Sequence, residues 1–138
     1  MRNTVLVLFA LLLVSFKAPE CPFLEMGGIY VYKIDAEYSA MIRFYNDGLV
    51  LVTTSDKPYK EVLDWFNNQP ENLSRVLSGK YKVSKKNCTV SFKVKGESGK
   101  QEFSGTIGKN SLDMTITNPA QNGQKKTSTR RTYTFVKQ

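Results

Sequence analysis

The sequence has no histidine, a single tryptophan, two cysteines and five prolines in 138 residues. The missing imidazole removes Ser-His-Asp and Cys-His nucleophilic arrangements, and with them the usual general base near neutral pH. Two cysteines without histidine do not complete a zinc shell, so no metal is expected. A phosphate-cradling loop is absent as well, because Gly27-Gly28 precedes an extended stretch and not a helix. The acids Asp47, Glu97, Glu102 and Asp113 fall at turns or on the polar side of alternating stretches, where a solvated charge is the expected role. The chain reads as a non-enzyme without a cofactor.

Long apolar runs are also scarce. The one that exists, Val5 to Val14 behind Arg2, is too short to span a bilayer comfortably and has the charge and length pattern of a secretory signal peptide. The reading assigns residues 1–18 to that leader, with cleavage after Ala18 or Ser15, and residues 19–138 to one domain. The mature protein is then secreted or periplasmic. Retention of the run as an anchor stays open. Lipid attachment at Cys21 is disfavoured, because Glu20 stands where lipoprotein sites carry a small residue. In an oxidising compartment the two cysteines, Cys21 and Cys88, make one disulfide the natural pairing, against the alternative of two buried thiols. Asn72-Leu73-Ser74 and Asn87-Cys88-Thr89 fit the N-glycosylation pattern.

What the sequence has in quantity is alternation. Cys88, Val90, Phe92 and Val94 are separated by Thr89, Ser91, Lys93 and Lys95, a half-buried strand with period two. The same pattern runs through Phe103, Gly105 and Ile107 and through Leu112, Met114 and Ile116. Further strands are expected at about 29–34, 39–46, 49–54, 80–84 and 129–136. SAMIRFYNDGLVL (39–51) is a hairpin whose Asp47-Gly48 supplies the freedom a tight turn needs. Pro58 to Leu77 interrupts the pattern, with Tyr59, Val62, Leu63 and Phe66 at helical spacing and a shorter helical stretch in ENLSRVL. Roughly eight short strands argue for an all-β, antiparallel up-and-down barrel with a short helical insertion at about 58–77.

The strings RFYNDGLVL (43–51), Trp65-Phe66-Asn67 and GKYKV (79–83) resemble small lipocalin-like proteins of the calycin type, over most of residues 28–137. The resemblance implies a barrel that binds a small, mainly apolar ligand, with a latch at its closed end. In classical lipocalins a Gly-x-Trp in the first strand packs under an arginine of the last strand. The matching positions here are Gly28-Ile29-Tyr30, with tyrosine in place of tryptophan, and Arg130 or Arg131. If Tyr133 and Phe135 point inward, period two selects Arg131 as the partner of Tyr30.

An eight-stranded barrel is just wide enough to fill itself or to hold one small ligand. Candidate ligand-lining residues are Phe44, Trp65, Tyr81, Phe92, Phe103, Met114 and Tyr133. Gly105 and Ser39-Ala40 would leave room inside, and the helix around Trp65 is either an anchor against the barrel or a lid over its mouth. The alternative is a filled barrel that acts through its outer surface as an inhibitor, adaptor or envelope component. The net charge is +8, and removal of Arg2 and Lys17 with the leader would leave +6. Alternating Lys80, Lys82, Lys93 and Lys95 share an outer face, read as a solvated face with weak association to anionic surfaces as the alternative. Exposed aromatics are not interleaved with these lysines, so no nucleic-acid partner is expected. A monomer is expected.

Overall fold

The computed structural model describes Lys17 and residues 20–138. The apolar run of the expected leader lies outside the described residues.

Eight strands follow one another as antiparallel neighbours: β1 (Gly28–Lys33), β2 (Ser39–Phe44), β3 (Leu49–Ser55), β4 (Leu77–Ser84), β5 (Thr89–Gly96), β6 (Gly99–Gly108), β7 (Ser111–Asn118) and β8 (Thr127–Lys137). Pairing of β8 with β1 closes the sheet into a barrel, which removes both edges. The alternation that identified β5 and β7 now has its cause. Val90, Phe92 and Val94 are buried inside, whereas Ser91, Lys93 and Lys95 face solvent. Cys88 departs from the pattern: it is not the first inward residue of β5 but the last residue of the β4–β5 turn, with φ at 54°. β4 starts at Leu77, earlier than expected, because Leu77 pairs with Val52 as soon as the helical insertion ends.

The hairpin at 39–51 joins β2 to β3 through Tyr45–Gly48. Its turn is held by the Tyr45 N–H on the Leu49 carbonyl (2.9 Å) and the Leu49 N–H on the Asp47 carboxylate (3.0 Å), with Gly48 at φ 88°. A side chain is disfavoured at that angle.

Gly105 does not leave room in the lumen. A Cβ built there would stand 1.9 Å from the Asp113 carbonyl oxygen, so the missing side chain lets β7 approach β6 instead. Gly105→Ala is therefore expected to force the two strands apart at a cost of about 1–3 kcal/mol, read as a lower urea midpoint. An unchanged midpoint would show that the ladder shifts freely there.

The helical insertion is shorter than its periodicity implies and consists of α1 (Tyr59–Leu63) and α2 (Pro70–Leu73). Its place explains why β1 to β3 read as near-continuous apolar runs. Tyr30, Ile42, Val50 and Val52 face inward, and Ile29, Met41 and Leu51 face outward under Val62, Phe66 and Val76. These strands are buried on both faces. Arg43 fastens the insertion from the outer side, donating from Nη1 to the Phe66 carbonyl and from Nη2 to Gln138 Oε1, both at 2.7 Å.

The two barrel ends differ. One gathers the segment at 20–27, the turns at 45–48, 85–88 and 109–110, and the C-terminus. That segment is a strap: Leu24 and Met26 pack against the inner cluster, and the Glu25 N–H donates to the Tyr30 hydroxyl at 2.8 Å. The Cys21–Cys88 disulfide fastens the strap to the β4–β5 turn across 67 residues, as the cysteine pairing predicts. The other end gathers the β1–β2 loop, the junctions of the helical insertion with β3 and β4, the β5–β6 turn and residues 119–126, and forms the mouth.

Candidate functional site

Six of the seven candidate lining residues lie inside the barrel, but packed against one another and their neighbours. The Phe44 ring meets Tyr30 at 5.8 Å, Tyr81 at 5.1 Å and Phe92 at 5.6 Å, each edge to face, and Phe92 stacks on Phe103 at 4.7 Å. Tyr30 in turn touches Phe135 at 5.1 Å. This run of rings spans the lumen from β1 through β2 and β4 to β6. Met114 and Tyr133, 0% and 1% exposed, fill the side formed by β7 and β8. The seventh, Trp65, lies with the outer cluster of the insertion, where the Arg75 guanidinium covers its ring at 4.3 Å. The insertion packs on the barrel wall and is not a lid over the mouth.

The latch between Tyr30 and Arg131 is replaced by another pairing. Arg131 does lie on the inner face of β8, but its guanidinium sits 5.2 Å over the ring of Tyr32, which also contacts Tyr133 at 5.8 Å. Two residues of register separate the two tyrosines. Tyr30 is instead held at the strap end, by Glu25 and by Phe44 and Phe135.

Burial raises the phenols of Tyr30 and Tyr133 above their ordinary range, with the Glu25 N–H offsetting part of the rise at Tyr30 and Arg131 part of it at Tyr133. Burial likewise raises Tyr81, whose hydroxyl donates to the Tyr45 carbonyl at 2.8 Å. A raised folded value favours the neutral form. The resulting stability is fully present below the ordinary value near 10 and is lost as pH rises past it. Urea unfolding between about pH 8 and 11 is expected to show a steep alkaline loss that Tyr133→Phe makes shallower. A pH-independent midpoint would remove the effect.

At the mouth, a cleft of about 580 Å³ is lined by polar side chains, among them Arg75, Lys100, Gln101, Asn118, Gln121 and Gln124. Gln101 donates to Asn118 at 3.0 Å, and Asn118 to Thr127 at 3.3 Å. The rim is shaped by a tight turn in which Gln121 and Gln124 pair around Asn122-Gly123, at φ 49° and 80°. In the sequence, Asn122-Gly123 is the signal that locates this turn.

The alternating lysines do share the outer wall. Register places Lys80 beside Lys93 and Lys95 beside Lys100, and Lys93 pairs with Glu102 at 3.3 Å. Two clefts of about 530 and 420 Å³ lie along this wall. Glu102 and Asp113 are thus not simply solvated. Asp113 is held by Arg130, which grips both carboxylate oxygens, and this keeps its carboxyl below the ordinary range. Among the described residues no three Cys, Asp or Glu side chains come together as a metal site.

Comparison of the chain with protein-family models, with curated proteins and with solved structures finds no match.

Proposed function

We propose that the protein is an exported, lipocalin-like barrel whose interior is structural and which acts by binding through its outer surface, as an inhibitor, adaptor or envelope-associated protein and not as an enzyme. The leader pattern of residues 1–18 supports export, and the Cys21–Cys88 disulfide is consistent with an extracellular or periplasmic compartment. The closed eight-stranded barrel is compatible with the lipocalin-like resemblance.

The observation that carries the outer-surface reading is the contact of Phe44 with Tyr30, Tyr81 and Phe92, and of Phe92 with Phe103, across the lumen. Carriage of a small apolar ligand needs an interior cavity of ~300–1,000 Å³. The clefts of that volume lie at the mouth, on the outer wall and beside the strap, where Phe23, Leu24, Val83 and Ile107 line about 520 Å³. The test is titration of the mature protein with a fluorescent long-chain fatty acid. No saturable uptake is expected. Stoichiometric uptake, reversed by an unlabelled apolar competitor, would restore the interior carrier.

A further inference from the structure

We infer that the outer wall of β4, β5 and β6, continued into the mouth, is a binding track for a linear acidic polysaccharide. The inference rests on the outer-surface reading and gives it a ligand class.

The first support is the distribution of charge. From residue 80 to residue 100 the chain carries seven lysines and a single acid, Glu97. Five of those lysines, Lys80, Lys82, Lys93, Lys95 and Lys100, lie on three adjacent strands and are solvent-exposed. Two pairs, Lys80 with Lys93 and Lys95 with Lys100, stand directly opposite across the ladder. Like charges in that position destabilise a sheet. A face that needed only solubility is served as well by mixed signs, as β7 and β8 show with Asp113 opposite Thr132 and gripped by Arg130. On the lysine wall the corresponding carboxylate is Glu102, and it engages Lys93 alone.

Shape is the second support. The three clefts adjoin: the outer pair share Lys93 and Glu102, and the smaller of them shares Lys100, Gln101 and Pro119 with the mouth cleft. Together they make one groove along the wall, with lysine side chains rooted on neighbouring strands about 4.8 Å apart and at steps of roughly 6.7 Å along a strand. A row of positive charge at that spacing suits an extended chain with regularly repeated carboxylates or sulfates.

Chemistry of the lining selects among polyanions. Between the lysines stand the hydroxyls of Ser78, Ser91 and Ser104, and at the mouth the amides of Gln101 and Gln121, which can donate to and accept from sugar hydroxyls. Single-stranded nucleic acid would need rings to stack on, and the rings beside this groove, Phe92 and Phe103, are turned inward and buried. An anionic bilayer would need protruding apolar side chains among the lysines, whereas the exposed Phe23 and Val83 lie at the strap end and Ile34 and Tyr38 at the β1–β2 loop, and none of them lines the groove.

The experiment measures affinity of the mature protein for polygalacturonate and heparin at several salt concentrations. A single-stranded oligonucleotide and phosphatidylglycerol vesicles serve as comparison ligands. The track variant is Lys80→Ser, Lys93→Ser, Lys95→Ser and Lys100→Ser together. The control variant removes the same charge elsewhere, at Lys33, Lys60, Lys109 and Lys137. The polysaccharide is expected to bind most tightly, with the track variant at least tenfold weaker, its salt slope smaller by roughly one per lysine lost, and the control little changed. Relief of the opposed lysines should also leave the track variant at least as heat-stable as the parent, which separates lost binding from lost folding. Equal weakening by both variants, tighter binding to the oligonucleotide or the vesicles, or no binding to either polysaccharide would overturn the inference. None of these results bears on fatty-acid uptake, so the filled interior stands or falls separately.

Discussion

Phe44→Ala is expected to destabilise the protein by about 3–5 kcal/mol, the cost of removing a fully enclosed aromatic ring and leaving its volume unfilled. Phe44 is 2% exposed and meets three other rings, so its loss breaks the aromatic run at its centre. The surrounding Val50, Ile42 and Tyr30 are held in strands of a closed sheet and cannot collapse far into the gap. The cavity left would be apolar, and apolar cavities of that kind stay dry and accept benzene or xenon. Benzene should therefore raise the melting temperature of the variant and leave that of the parent unchanged. A parent protein stabilised as strongly as the variant would mean that the lumen already holds space.

Replacement of both cysteines, Cys21→Ser with Cys88→Ser, is expected to cost on the order of 4 kcal/mol in the chain-entropy picture, because the bond closes a loop of 67 residues. The effect has a local consequence. Released from the β4–β5 turn, the strap loses its fixed path over the barrel end, and Leu24 and Met26 lose their place on the inner cluster. Denaturant midpoints of the oxidised parent, the reduced parent and the double variant should show the last two nearly alike and well below the first. A shift below about 1 kcal/mol would mean that packing alone holds the strap. The double variant keeps the lysine wall intact, so polysaccharide binding under native conditions should survive it.

Strands with one wet face were the legible part of this chain. β5 and β7 alternate cleanly because the barrel interior is apolar and the exterior is water, and the period of two records that difference residue by residue. β1, β2 and β3 were placed to within two residues, but the cover over their outer faces was not read from their near-continuous apolar runs. Runs such as AMI (40–42) and LVLV (49–52) already carried that message, since a strand wet on one side has no use for Met41 or Leu51. Taken with the helical spacing of Val62 and Phe66, they pointed to an insertion lying on the wall, where Trp65 is found, and not over the mouth.

The arginine partner was illegible for a different reason. Period two correctly placed Arg131 on the inner face, but the choice between Tyr30 and Tyr32 depends on the shear between β1 and β8, which the closed ladder sets and local sequence does not. Gly105 shows the same limit. Its lack of a side chain was visible, whereas its use, to let the Asp113 backbone close in, is a property of the neighbouring strand. The opposed lysines belong here too, since the alternation gives the shared face but only the register sets Lys80 against Lys93.

The proposed function has the barrel carry nothing inside and bind on its outer surface. The most direct measurement is native mass spectrometry of the protein purified from its own host, before and after organic extraction. A filled barrel gives the bare protein mass in both samples, unchanged after incubation with a mixture of lipids and metabolites. A reproducible added mass of a small apolar molecule that disappears on extraction would contradict it and make the interior the functional site.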